Sequence, residues 1–185
     1  MLDKNKNKSL SHNAGFTLIE LLVSITIIAL ISSVFMVNYH NTNKRSELKM
    51  AVQKLASDIR LAQNYSLGSK TYDVDGLITP SGGWGVHFSL ADPTHYIIFA
   101  DKNYPGVREY NAGEAIETKT LPAGVTISFL SPVTPDNILD IIFFPQEPTT
   151  YVNGSATDSA RIELQQNINN SKAAVTVNSF GLIDA

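Results

Sequence analysis

The sequence predicts an α+β protein: a long N-terminal helix, membrane-spanning in its first half, packed on a small antiparallel β-sandwich-like domain. Three observations carry this prediction. Residues 16–37 form an apolar run holding a single charge, Glu20. Residues 48–62 then repeat apolar side chains at helical spacing, and from residue 67 onward short β-prone runs alternate with turn residues. Elements in this order fit a helix laid against a two-layer β domain.

The apolar run reads FTLIELLVSITIIALISSVFMV and contains neither Pro nor Gly. As a helix, 22 residues rise about 33 Å, enough for a hydrocarbon core of ~30 Å. Before it, residues 1–15 carry Lys4, Lys6 and Lys8 against Asp3, a net charge of +2. Lysines on that side place the leader in the cytoplasm and the rest of the chain outside, as a single-pass protein of the inner membrane.

The remainder of the chain holds 11 of the 14 basic and 16 of the 17 acidic side chains, a balance of -5. An acidic surface argues against nucleic acid as a partner, because counterion release needs clustered Lys and Arg. Cysteine is absent, which excludes disulfides and thiolate metal sites.

An ordinary secretory signal peptide has an apolar region of roughly 7–15 residues followed by a small-residue cleavage site. The run here is longer and lacks that site. A plain signal anchor fits the hydropathy but leaves Glu20 unexplained. A carboxylate inside a membrane helix costs ~2.5 kcal/mol or more, and such residues are functional or paired.

Gly15-Phe16-Thr17-Leu18-Ile19-Glu20-Leu21-Leu22-Val23 resembles the processing site of type IV prepilins and type II secretion pseudopilins. The resemblance implies that a prepilin peptidase cuts between Gly15 and Phe16 and N-methylates Phe16. It also implies that Glu20, fifth in the mature chain, assists assembly by neutralising the terminal amine of a neighbouring subunit. The implied partners are other pilin or pseudopilin subunits, the peptidase, the inner-membrane assembly platform and membrane lipid.

Beyond the membrane, Leu48, Val52, Leu55, Ile59 and Ala62 recur at spacings of three and four, one face of an amphipathic helix. Lys44, Arg45, Glu47, Lys49, Lys54, Asp58 and Arg60 occupy other faces and read as solvated. The period runs from Phe16 to about Tyr65, and Gly68 is the stop. The expected organisation is therefore a leader (1–15), a long helix (16–66, membrane segment 16–37) and an extracytoplasmic β domain (67–185).

Within that domain the predicted strands are Trp84–Leu90, His95–Asp101, Glu114–Leu121, Val125–Leu130, Ile138–Phe144, Ala160–Gln165 and Ala173–Asn178. Trp84, Val86 and Phe88 alternate with Gly85, His87 and Ser89, and Ile162 and Leu164 alternate with Arg161, Glu163 and Gln165. Several stretches also resemble GspH/FimT-like minor pilins: Leu55 to Asn64, Gly83 to Phe88, Tyr96 to Asn103, Glu114 to Glu117 and Val175 to Gly181. FimT proteins implicated in DNA uptake carry basic residues near the last glycine. Here Gly181 is followed by Leu182, Ile183, Asp184 and Ala185, which speaks against a DNA receptor.

Nothing in the sequence points to catalysis, a cofactor or a metal. His12 leaves with the leader, His40 sits at the membrane edge, and His87 and His95 read as surface strand positions without a carboxylate at ligand spacing. Asp73-Val74-Asp75-Gly76 begins like a calcium loop but lacks the closing glutamate. Asp101 to Gly106 reads as a hairpin turn, and Asp136 and Asp140 have helical spacing in a β-like run. Tyr104, Tyr110, Tyr151 and Phe180 lie in predicted loops, where scattered aromatics are ordinarily packing.

The predicted work is assembly, as a minor pilin of a type IV pilus or a pseudopilin of a type II secretion system. The alternative is a membrane-tethered extracytoplasmic binding module that never enters a filament.

Overall fold

The computed structural model describes residues 15–72, 78–103, 105–106, 108–145, 149–156 and 158–185; the side chains of residues 37–41 also lie outside the description. The leader lysines, His12, the side chain of His40, Asp73 to Gly76 and Tyr104 fall outside it. The chain divides into two units, residues 1–40 and 41–185, and each is described by itself. One helix, α1 (Leu18–Leu67), contributes to both.

In the first unit, α1 presents its apolar side chains to the surroundings. Leu18–Met36 forms a 19-residue stretch long and apolar enough to cross a membrane, and none of it is buried. Three of its hydroxyls turn back onto the helix: Ser24 donates to the Glu20 carbonyl, Thr26 to Leu22 and Ser33 to Leu30, each at 2.8 Å. In lipid every polar group must be satisfied internally, and these three are.

In the second unit, α1 is amphipathic. Leu48, Val52, Leu55, Ile59 and Ala62 are all buried. The helix ends where the Gly68 N–H bonds the Asn64 carbonyl at 2.9 Å and the Lys70 N–H bonds Tyr65 at 2.8 Å. Two antiparallel sheets complete the unit. Strands β1 (Gly83–Ser89), β2 (His95–Asp101), β3 (Ala115–Thr120), β5 (Ile138–Phe143) and β6 (Thr150–Val152) make the first, in the order β3-β2-β1-β5-β6. Strands β4 (Val125–Ser131), β7 (Ala160–Gln166), β8 (Lys172–Val177) and β9 (Ile183–Asp184) make the second, in the order β4-β7-β8-β9.

The helix stripe and the inner faces of both sheets share one core. Trp84, Val86, Phe88 and Ile98 supply it from the first sheet, and Ile127, Ile162, Leu164 and Val175 from the second. The period-two alternation of β7 therefore sorts core from surface in the expected way, whereas in β1 it separates the central core from a second covered face. Trp84 closes the end nearest the helix terminus: its ring meets Tyr65 edge-on at 5.0 Å and its N–H donates to the Lys70 carbonyl at 2.9 Å.

The first sheet is covered on its outer side too, which the sequence did not announce. Phe99 and Ile142 are completely buried without belonging to the central core. Part of the cover is the connection between β2 and β3, whose Tyr110 ring lies 5.3 Å from Phe99 and 4.5 Å from His87. Gly85 makes room: a Cβ there would stand 2.6 Å from the Phe99 ring and 2.7 Å from the Ile141 carbonyl. Only glycine lets the ring lie flat against the strand.

Three expectations need correction. Asp58 is not solvated: it is buried and accepts a 2.6 Å hydrogen bond from the Tyr96 hydroxyl, with Lys54 at 3.7 Å. Burial, and then the Asp58 carboxylate, push the Tyr96 hydroxyl far above its ordinary pKa. Asp101 to Gly106 is not a tight hairpin turn but the opening of the longer β2–β3 connection. Glu114, predicted inside a strand, instead anchors that connection by accepting from the Lys102 and Asn111 N–H groups and the Asn103 side chain at 2.8–3.0 Å. Asp101 beside it is buried, so desolvation, and then Glu114, raise its carboxyl above the usual range.

Candidate assembly site

The start of α1 is built by its first residues. Thr17 precedes the helix and its Oγ1 accepts the Glu20 N–H at 3.2 Å, while its carbonyl accepts the Leu21 N–H at 3.2 Å. Thr17 is thus the N-cap, and Glu20 stands at the third helical position. Thr-x-x-Glu is the capping-box pattern, and that signal, present in the sequence, was passed over there. It adds a local role for both residues: one orders the helix end, the other places a negative charge against its positive dipole.

Phe16 and Glu20 are both exposed. Gly15 has nothing within 4 Å of the position a Cβ would take, so the Gly15–Phe16 bond lies open ahead of the helix. Among the described residues of the first unit, Glu20 is the sole ionisable side chain within the apolar stretch. The structure brings Gly15, Phe16, Thr17 and Glu20 together within six consecutive residues. The apolar stretch that follows, Leu18–Met36, is unburied among the described residues.

The titratable groups of the second unit form structural pairs. His87 is not a surface strand position: its Nδ1 lies 2.6 Å from Asp140, whose second oxygen accepts the Tyr110 N–H at 3.0 Å. The neighbouring backbone is held too, since the Asn153 side chain accepts the Asp140 N–H at 2.8 Å. This buried node ties the β2–β3 connection to the sheet. The partner strand β5 supplies the carboxylate from 53 residues away, so no local spacing announced it. His95 likewise has a carboxylate, Asp92, at 2.9 Å in the β1–β2 turn, and that hydrogen bond holds Asp92 below its ordinary pKa. Asp136 sits in a turn and Asp140 in β5, so the two do not make a pair on a helix.

The aromatics expected in loops also separate, and Tyr151 lies instead in β6. Tyr110 packs inward, Tyr151 carries the Arg108 guanidinium 3.6 Å above its ring, and Phe180 stands exposed beside exposed Leu182. The Gly181 carbonyl accepts from Gln63 and the Ile183 carbonyl from Arg60, both at 2.9 Å, which pins this C-terminal turn to α1.

Residues 10–36 match the prokaryotic N-terminal methylation motif. The match spans the end of the leader and the membrane-length helix, and it supports a type IV prepilin-like N-terminal segment. No curated protein and no solved structure matches the chain.

Proposed function

We propose that this chain is a filament subunit, a minor pilin of a type IV pilus or a pseudopilin of a type II secretion system with a GspH/FimT-like β domain. Its work is assembly and not catalysis. The carrying observation is a coincidence of features: the methylation motif ends on a capped helix whose membrane-length stretch, Leu18–Met36, holds one charge, Glu20, in its first turn.

Hydrolysis of the Gly15–Phe16 bond leaves a carboxylate on the leader and an amine on Phe16. Methylation keeps that amine positive. Removing the leader also removes three lysines that hold it on the cytoplasmic side. The mature end then carries an ammonium and, four residues on, a carboxylate in low dielectric. A charge alone there is costly, whereas an ammonium against the Glu20 of a neighbouring subunit satisfies both. The arrangement favours packing among other subunits over dispersal in lipid. The chain accordingly begins as a single-pass inner-membrane protein with its β domain outside. The assembly platform then draws it into a periplasmic or cell-surface filament.

Intact-mass measurement of the chain from cells with an active prepilin peptidase tests this reading. The expected mass is that of a chain starting at N-methylated Phe16. A full-length, unmethylated chain overturns it.

A further inference from the structure

The second unit carries a groove of ≈ 260 Å³ between α1 and the start of β8, lined by Arg45, Leu48, Lys49, Ser171, Lys172 and Ala173. None of the six is a carboxylate. Leu48 is buried and Ala173 half-buried, giving an apolar floor beneath a cationic rim.

Charges around the groove are neutralised selectively. Lys44 pairs with Glu47 at 2.8 Å, and Lys172 and Arg161 share Glu163 at 2.8 and 3.3 Å. Arg45 and Lys49 are exposed, and among the described residues neither has an ion-pair partner. They stand one turn apart on α1, where like charges repel unless an anion bridges them. Two unpaired cations in one groove are the more telling because the chain beyond the leader is net acidic.

Arg45 follows Met36, the last residue of the membrane-length stretch, by nine positions. Even fully extended, nine residues span no more than about 30 Å, a tether that keeps the groove within that distance of the end of the stretch.

We propose that this groove holds the phosphate head group of an anionic membrane lipid, with Arg45 and Lys49 on the phosphate and Leu48 and Ala173 under the glycerol carbons. The proposal rests on the reading of residues 18–36 as a membrane anchor. It gives the unassembled subunit a second, polar attachment to the bilayer.

Full-length chain in non-ionic detergent, titrated with phosphatidylglycerol or phosphatidylcholine and counted by native mass spectrometry, tests it. One phosphatidylglycerol per chain is expected, with a roughly ten- to thirty-fold preference over phosphatidylcholine. The double variant Arg45→Gln/Lys49→Gln should lose that preference with an unchanged circular dichroism spectrum, since both side chains are exposed. Replacing Lys4, Lys6 and Lys8 by Gln should leave it intact. A preference that survives the double variant, or follows the leader lysines, overturns the proposal. So does binding of inorganic phosphate without any lipid preference. Carbonate extraction of wild-type membranes reads the anchor separately: release of the chain refutes the anchor, whereas a retained double variant with full preference refutes only the groove.

Discussion

Helix α1 follows one hydrogen-bonding rule in both units, yet its side chains obey opposite ones. From Leu18 to Met36 the apolar residues face outward and none is buried. In the second unit Leu48, Val52, Leu55, Ile59 and Ala62 are sealed into a core, the last three completely. The difference lies in what each stretch is dissolved in. Along the first, three hydroxyls close onto their own backbone, and among the described residues Glu20 is the one charge of the apolar stretch. Along the second, polar groups are answered within the unit, as Asp58 is by Tyr96 and Gln63 by Gly181. A helix that keeps its surface apolar without a core is made for lipid or for other helices.

The contrast can be broken most severely at Glu20. Glu20→Val should leave the chain in the membrane, where losing a charge only helps, and reduce its recovery in sheared filaments at least ten-fold. Undiminished recovery would refute the assembly role. A matched pair of truncations sharpens the comparison next. Ile59→Ala should cost ~2–5 kcal/mol of stability, because it empties a site in a closed core. Ile27→Ala should cost the second unit nothing measurable. Denaturation of the detergent-solubilised chain, followed by the fluorescence of its single tryptophan, Trp84, reads both. Equal losses at the two positions would show that residues 18–36 pack on the same core. A smaller loss than at Ile59 is expected from Tyr96→Phe. Removing the hydroxyl strands the buried Asp58 carboxylate and should cost ~1–3 kcal/mol by the same assay.

What the sequence disclosed follows the range of the physics behind it. The apolar run, the amphipathic stripe and the alternating strands are local patterns, and the helix and seven of the nine strands were legible within a residue or two of their ends. The two missed strands, Thr150–Val152 and Ile183–Asp184, are three and two residues long, too short to show a period. They exist because β5 and β8 offer them an edge to pair with. His87 and Asp58 were misread for the same reason. Their strand and helix positions suggested solvent, but His87 is covered by Tyr110, 23 residues on, and paired by Asp140, 53 residues on, while Asp58 is paired by Tyr96, 38 residues on. Of the candidate site, Gly15, Phe16 and Glu20 stood out as a contiguous motif, and Thr17 was overlooked although its spacing to Glu20 was in plain sight.

The back-bonded hydroxyls of the first unit bear on how such a subunit travels. A segment whose helix is closed and three of whose hydroxyls are already satisfied need not unravel when its surroundings change. On the proposed assembly reading, passage from bilayer to bundle exchanges one greasy environment for another, with a single electrostatic step at Glu20, and the same exchange lies open in reverse.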